Sequence, residues 1–421
     1  MIRKLGSLIK NKSVENGIWL YVFQFFNLIV PFLTLPYITR TLGEGHYGIF
    51  SSALNFITYF NVFVAYGFDL IGAKKASLIN DEEELNSLYS HIFLIKTVLM
   101  LISFGLMSIL SLVFHLPVDD YALMLVLFMI VVGSVFQQVW LFHGLQKMKI
   151  ITIVNVLLKI LSMVLIFVFV KNSDHLLLYA VLYASTFLLV GIICFMIALL
   201  ELKIRFTKIE GVKIKENLKD ALPTFFTSFA ASLYSGIGVT VLTLFYDNNV
   251  VGGYSAIIKI PIIFVSLFTP FLQALFPYIS KQYNESTKDG INTLTKMMKI
   301  LMPIVLIATL VLIIFSRPIV NVLFGSEYVK GHYLLMPLSI WMLFGVLNNF
   351  LGIQGLVASG NQKFYSRAFL FGVIAVIVLS FSLGYFYESL GVALAIAISE
   401  TVLTIACLYY LRKKVVLKWK K

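Results

Sequence analysis

Ile150-Ile-Thr-Ile-Val-Asn-Val-Leu-Leu-Lys159-Ile-Leu-Ser-Met-Val-Leu-Ile-Phe-Val-Phe-Val170 is an unbroken apolar run with a single charge near its centre. About 20 such residues, rising 1.5 Å each, cross the ~30 Å hydrocarbon core of a bilayer as a helix. A membrane-spanning strand needs only about 10 residues and alternates apolar with polar positions, which this run does not do. The stretch therefore predicts a transmembrane helix with Lys159 at mid-depth.

Outward from it, comparable runs recur at about 17–40, 46–70, 88–114, 121–145, 176–200, 219–246, 250–279, 298–316, 332–358, 365–386 and 389–411, making twelve spans. Composition agrees: of 421 residues, 60% are hydrophobic and 13% charged, against about 25% charged in soluble domains. The expected fold class is all-α, a polytopic membrane protein. The first run is too long for the apolar part of a cleavable signal and contains Pro31 and Pro36, so it reads as a retained span. Ahead of it, Ile2, Leu5, Leu8 and Ile9 could rest on the membrane surface.

The net charge of +13, from 33 basic and 20 acidic residues, would suggest nucleic acid in a soluble protein. Here the connections alternate instead. One set, with both termini, carries 26 Lys and Arg, whereas the other carries only Arg40, Lys171, Arg317 and Lys330. Positive loops stay inside, so the termini and the basic connections are expected on the cytoplasmic side, with no role in nucleic-acid binding. The acidic run Asp81-Glu-Glu-Glu84 reads as a solvated cytoplasmic loop offsetting Lys74 and Lys75.

The longest connection, basic and central, divides the chain. The expected organisation is a cytoplasmic segment 1–16, a six-helix bundle 17–200, a linker 201–218, a second six-helix bundle 219–411 and a basic tail 412–421. A shift of 204 places Gly48, Phe50, Ser51 and Asn55 on Gly252, Tyr254, Ser255 and Lys259. Even-numbered halves enter the membrane with one orientation, so the bundles would be parallel repeats related by a pseudo-two-fold along the membrane normal, a transporter arrangement.

Several motifs carry no chemistry. Gly43-Glu-Gly-His-Tyr-Gly48 matches a dinucleotide fingerprint in letters but follows a membrane helix, and reads as a tight external turn. The histidines at 46, 91, 115, 143, 175 and 332 lack ligand spacing, so no metal site is expected. Cys194 and Cys407 lie in apolar runs and read as small hydrophobes.

Three cations remain inside spans: Lys96, Lys159 and Lys259. A lysine at mid-membrane costs ~2.5–3.5 kcal/mol on insertion scales, so it faces a partner or water. Lys159 and Lys259 either pair for packing or line a hydrated substrate cavity. Pro261, Pro270 and Pro277 make the helix of Lys259 bendable. Lys96, nearer the cytoplasmic edge, either snorkels or meets substrate on its way in. Asp69 and Glu400 read as buried acids, either ion-paired to a lysine or titrating as coupling groups. Asn27, Asn55 and Gln138 are among the polar residues that could line the cavity, and Tyr21, Tyr59 and Trp140 could stack on sugars.

Four stretches carry a likeness over nearly the whole chain. They are Pro36-Tyr-Ile-Thr-Arg-Thr-Leu-Gly43 with Tyr47-Gly-Ile-Phe-Ser51, and Trp140-Leu-Phe-His-Gly-Leu-Gln-Lys-Met-Lys149. The others are Tyr254 to Lys259 with Phe276-Pro-Tyr-Ile-Ser280, and Gly355-Leu-Val-Ala-Ser-Gly-Asn-Gln-Lys363 with Ile398-Ser-Glu400. In these the sequence resembles the polysaccharide-repeat-unit flippases of the Wzx or O-antigen transporter type, in the superfamily of multidrug extruders and lipid II flippases. The resemblance implies a carrier that moves undecaprenyl-pyrophosphate-linked oligosaccharides outward across the bacterial plasma membrane by alternating access, and not an enzyme. It puts cavity cations at Lys159 and Lys259. Asn55 stands where the lipid II branch has an arginine, which argues against lipid II itself.

The sequence contains no G-x-x-x-x-G-K-[ST] motif, so no nucleotide cofactor is expected, and a proton or sodium gradient or the membrane potential would drive transport. Expected partners are the lipid-linked oligosaccharide, membrane lipid and, for surface polysaccharide synthesis, a polymerase and a chain-length regulator. A small-molecule extruder and a membrane glycan polymerase or ligase are the competing readings.

Overall fold

The computed structural model describes residues 12–113 and 117–416. The surface-lying segment expected at residues 1–11, His115 and the last five residues of the basic tail lie outside the described residues. Among the described residues all regular structure is helical.

Among the described residues ten helical segments are long and apolar enough to cross a membrane, and two of these, residues 15–76 and 362–415, are 62 and 54 residues long. At 1.5 Å per residue each is more than twice as long as the ~30 Å core is thick. Each is also broken. Helix α1 (Lys12–Ala65) is interrupted at Gly43, whose φ of 76° is open to glycine because it has no Cβ. The long C-terminal helix (Gln362–Leu411) is interrupted at Tyr387 and Glu388, the latter with φ 51°. Each break yields two spans, which restores twelve. The Gly43–Gly48 stretch is thus not a six-residue turn: the chain bends at Gly43 alone and is helical again from Glu44.

The chain divides into two compact units, Met1–Leu42 with Ser52–Leu233, and Gly43–Ser51 with Tyr234–Lys421. In the first unit α2 (Phe68–Ala76) follows a break at Tyr66 and Gly67, both at positive φ. Then come α3 (Glu82–Val113), α4 (Val118–Leu127), α5 (Met129–Gln137), α6 (Val139–Gly144), α7 (Met148–Phe169) and α8 (Leu176–Leu200). Helix α9 (Gly211–Phe245) begins in the first unit and ends in the second. The second unit continues with α10 (Asn248–Ile257), α11 (Lys259–Glu285), α12 (Thr287–Ile314), α13 (Ser316–Phe324) and α14 (Leu335–Asn348), and closes with α15, the broken helix Gln362–Leu411.

Small residues set the closest approaches. A Cβ on Gly72 would sit 2.9 Å from the Trp140 ring, and one on Gly144 would sit 2.8 Å from the Ala73 carbonyl, so α2 and α6 pack nearly backbone to backbone. Trp140 is fully buried in that contact. Its indole N–H donates to the Gln138 side-chain oxygen, and the Gln138 amide donates to the Val135 carbonyl at 2.7 Å. These bonds hold Gln138 in the left-handed conformation (φ 43°) that separates α5 from α6. Cys194 and Cys407 are free thiols with no exposed surface, as small core hydrophobes should be.

The central connection is not a free linker. The Arg205 amide donates to Asn86 Oδ1 (2.9 Å), the Thr207 amide to Ser90 Oγ (2.9 Å) and the Glu210 amide to His91 Nε2 (2.9 Å), which lays residues 205–210 along the first turns of α3. With Nε2 accepting, His91 Nδ1 carries the proton toward the Ser87 carbonyl at 2.6 Å. A hydrogen bond from Lys213 at 2.7 Å holds the Glu210 carboxyl below its ordinary pKa. Helix α9 then starts at Gly211 and is tied to α2 by Lys75, which pairs with Asp220 (2.6 Å) and donates to Asn217 (2.8 Å). The acidic run serves the N-terminus of α3 instead, with Asp81 Oδ2 accepting from the Glu84 amide at 3.1 Å.

Candidate functional site

In the first unit, Lys159 sits midway along α7 and donates to the Asn27 side-chain oxygen on α1. Pro31 lies four residues after Asn27 and has no N–H, so it leaves the Asn27 carbonyl without its helical donor and loosens α1 at that level. The Lys159 ammonium is 5.8 Å from the Phe187 ring centre. A cavity of about 50 Å³ opens beside it, lined by Pro31, Thr34, Ser162, Tyr183 and Phe187 among others. That volume suits one or two waters, each occupying about 30 Å³. No carboxylate lies within ion-pair distance of Lys159 among the described residues. The site is a half-buried cation with an amide partner and room for water.

In the second unit, Lys259 opens α11 directly after the slight break at Ile258. The break follows from Pro261, which supplies no N–H to the Ile257 carbonyl. Ile257, Ile258 and Ile260 around it are buried, while Lys259 itself is exposed and makes no ion pair among the described residues.

Glu400 is buried, and neutral groups surround its carboxylate. The Tyr234 hydroxyl of α9 donates to one oxygen, and the Asn348 amide of α14 donates to the other at 2.9 Å and also to the Glu400 carbonyl at 3.0 Å. The lysine ion pair that the sequence left open for Glu400 is absent among the described residues. Neither Tyr234 nor its meeting with Asn348 is visible in the sequence, because they lie 166 and 52 residues from Glu400.

Other expectations move. Lys96 does not snorkel: it is 2% exposed and donates to the Ser134 carbonyl at 2.7 Å, cross-linking α3 and α5 inside the first unit. Asp69, read as a buried acid, is exposed in the first turn of α2, because the positive-φ break at Tyr66 and Gly67 restarts the helix there. Gln138 and Trp140, read as cavity polar and sugar-stacking groups, are closed in the helix break described above. Asn55 is half-buried on α1.

The structure also reveals a contact that spacing did not suggest. Glu44, just after the break in α1, is 2% exposed and pairs with Lys330 at 2.6 Å, and its amide donates to Glu327 at 3.1 Å. One helical turn on, Gly48 abuts the Asn248 carbonyl, and Gly252 abuts the Glu44 carbonyl. Both contacts lie in the second unit and exchange under the same 204-residue shift read from the sequence: 44 with 248, and 48 with 252.

With these features in place, the chain matches the polysaccharide biosynthesis protein family over residues 13–283. That is more than half its length. The chain belongs to this family. Its resemblance to Wzx-type polysaccharide flippases, read from the four stretches above, is thereby borne out. A candidate O-antigen transporter of Escherichia coli (strain K12) is 27% identical over 401 residues, covering 94% of this chain and 96% of that one. The capsular polysaccharide biosynthesis protein CapF of Staphylococcus aureus is 25% identical over 412 residues, 95% and 99% of the two chains. Among solved structures, the lipid II flippase MurJ in an inward closed conformation superposes with a TM-score of 0.75 at 16% identity, covering 96% of this chain and 90% of MurJ. An inward-facing multidrug resistance MATE transporter gives 0.73 at 16% identity, covering 94% and 99%. At such identities these two speak for the fold alone: this family member is a multi-pass helical membrane protein of the MATE and MurJ type.

Proposed function

We propose that this protein is a glycan flippase that carries a polyprenyl-pyrophosphate-linked oligosaccharide from the cytoplasmic to the outer face of a bacterial plasma membrane, with both termini cytoplasmic. Its family and the O-antigen and capsule names of its relatives support the substrate class. The observation that carries the reading is Lys159: a cation at mid-membrane depth, bound to an amide and beside water-sized space, with no carboxylate among the described residues to neutralise it. A diphosphate cannot enter hydrocarbon uncompensated, whereas a polyprenyl tail need never leave it. An ammonium is a compact, strongly hydrated charge that suits transient holding of phosphate. Lys259, likewise without an ion pair among the described residues, is assigned the same task in the second unit.

Alternating access would move the headgroup, and an outward-moving anion gains ~2.3 kcal/mol per charge per 100 mV of inside-negative potential, so two charges gain about 4–5 kcal/mol. Glu400, an acid held by neutral donors, is assigned as the group that takes up a coupling proton. A cationic-drug extruder shares the fold, but cavity lysines repel such cargo.

The test is Lys159→Met and Lys259→Met in a strain whose surface glycan depends on this protein. The expected result is loss of surface glycan with accumulation of the lipid-linked precursor inside. Normal glycan from a well-expressed double variant would overturn the assignment.

A further inference from the structure

Helix α15 doubles back at Tyr387 and Glu388, so its two limbs run side by side, and an open groove of about 730 Å³ lies between them. Its walls are apolar or aromatic throughout: Phe371, Ile374 and Val378 on one limb face Ile405, Ala406 and Tyr409 on the other. From Phe371 to Leu379, and from Val402 to Tyr410, the groove covers about 12 Å of helix, close to the ~15 Å of one leaflet's hydrocarbon.

One end of this groove is charged. Tyr409 and Tyr410 line it, and the Phe364 ring lies 5.3 Å from that of Tyr410. Three cations rest on this aromatic cap. Lys414 is 4.7 Å and Arg367 5.8 Å from the Phe364 ring centre, while Lys413 is 5.3 Å from that of Tyr409 and donates to its hydroxyl at 2.9 Å. None of the three pairs with a carboxylate among the described residues. At the opposite end the described lining residues, Val378, Leu379 and Val402, carry no charge. An apolar channel one leaflet long, capped by three unneutralised cations, has the charge pattern of an anionic lipid in reverse.

We infer that this groove seats an anionic glycerophospholipid of the leaflet at the chain termini, with an acyl chain between the limbs of α15 and the phosphate on Arg367, Lys413 and Lys414. The leaflet is cytoplasmic under the topology proposed above. Basic pockets between membrane helices on that side recognise anionic headgroups in this way. The leaflet-length groove favours a diacyl lipid over a long polyprenyl carrier, which would outrun it. The limbs also touch directly, Gly372 against Leu403 and Gly384 against Val392, so the lipid lies along the seam between them.

The experiment is native mass spectrometry of the full chain released from micelles doped with phosphatidylglycerol, phosphatidylethanolamine or undecaprenyl phosphate. Phosphatidylglycerol should be retained at least tenfold over phosphatidylethanolamine. At about fivefold per cation, R367Q/K413Q/K414Q should weaken retention about a hundredfold. A406F, which fills the groove without touching the cations, should also displace the lipid. Equal retention of the two phospholipids, retention indifferent to the triple substitution, or preferential binding of undecaprenyl phosphate would each overturn the inference. Because the readout is bound lipid, its failure is separate from any failure of the flippase reading, which is judged on surface glycan.

Discussion

The crossing of Gly48 over Gly252 makes the sharpest demand on the sequence. An alanine at 48 would drive its methyl into the Asn248 carbonyl and to 3.0 Å from the Gly252 nitrogen, while one at 252 would meet the Glu44 carbonyl and come within 3.0 Å of the Gly48 nitrogen. Every obstacle is backbone, so no rotamer change relieves it and the helices must part. Overpacking of this kind costs about 1–3 kcal/mol, which exceeds the ~0.5–1 kcal/mol that alanine gains over glycine in a helix. Gly105 is the control, since a Cβ there meets nothing within 4 Å, and Gly105→Ala should stabilise. Because the two contacts exchange under one shift, G48A and G252A should cost similar amounts. Once the helices have parted for one methyl, the second meets less resistance, so the double variant should cost less than the sum. Reversible unfolding in mixed micelles measures all four proteins. The reasoning fails if G48A and G252A are as stable as G105A, or if their costs add in full.

Lys330→Gln strands the buried Glu44 carboxylate and should cost about 1–3 kcal/mol, at the low end because Lys330 is 70% exposed. K330Q/E44Q should recover most of it in a double-mutant cycle. Glu400→Gln keeps an acceptor for Asn348 and should fold normally while export loses its dependence on a proton gradient in proteoliposomes. Glu400→Leu deprives Tyr234 of its acceptor and leaves Asn348 only the main-chain carbonyl of residue 400, and should destabilise by about 1–3 kcal/mol. His91→Ala removes the acceptor for the Glu210 amide, so hydrogen exchange at residues 205–210 should speed up by about 2- to 10-fold; unchanged exchange would mean those residues are held by other bonds.

The spans were legible because bilayer thickness imposes a length on every apolar run, and twelve such runs survive in the structure although two pairs are joined into long, broken helices. The local site was half legible. Lys159 announced itself, since a charge between Leu158 and Ile160 must find water or a partner. That partner, Asn27, was one of several polar residues of equal appearance, and only packing selected it. Lys96 looked equally exceptional and turned out to be a buried cross-link to a carbonyl on α5. Main-chain acceptors occur at every residue and leave no mark in a sequence. Trp140 and Gln138 misled for the opposite reason: their side chains suit sugar binding, but the break they stabilise depends on a left-handed Gln138 that no propensity announces.

By itself the sequence determined the solvent, the number of crossings, the distribution of charge across the connections and the 204-residue repeat, all of which follow from local hydrophobicity and position along the chain. The tertiary structure decided which polar groups meet. It alone brought Glu44 to Lys330, Tyr234 and Asn348 to Glu400, and residues 205–210 onto α3. Those contacts join positions 52 to 286 residues apart through side-chain directions fixed by helix breaks at single residues. A one-residue change in a break would rotate a helix by about 100° and turn its inward-facing side chains away from their partners, which is why this part of the protein exists only in three dimensions.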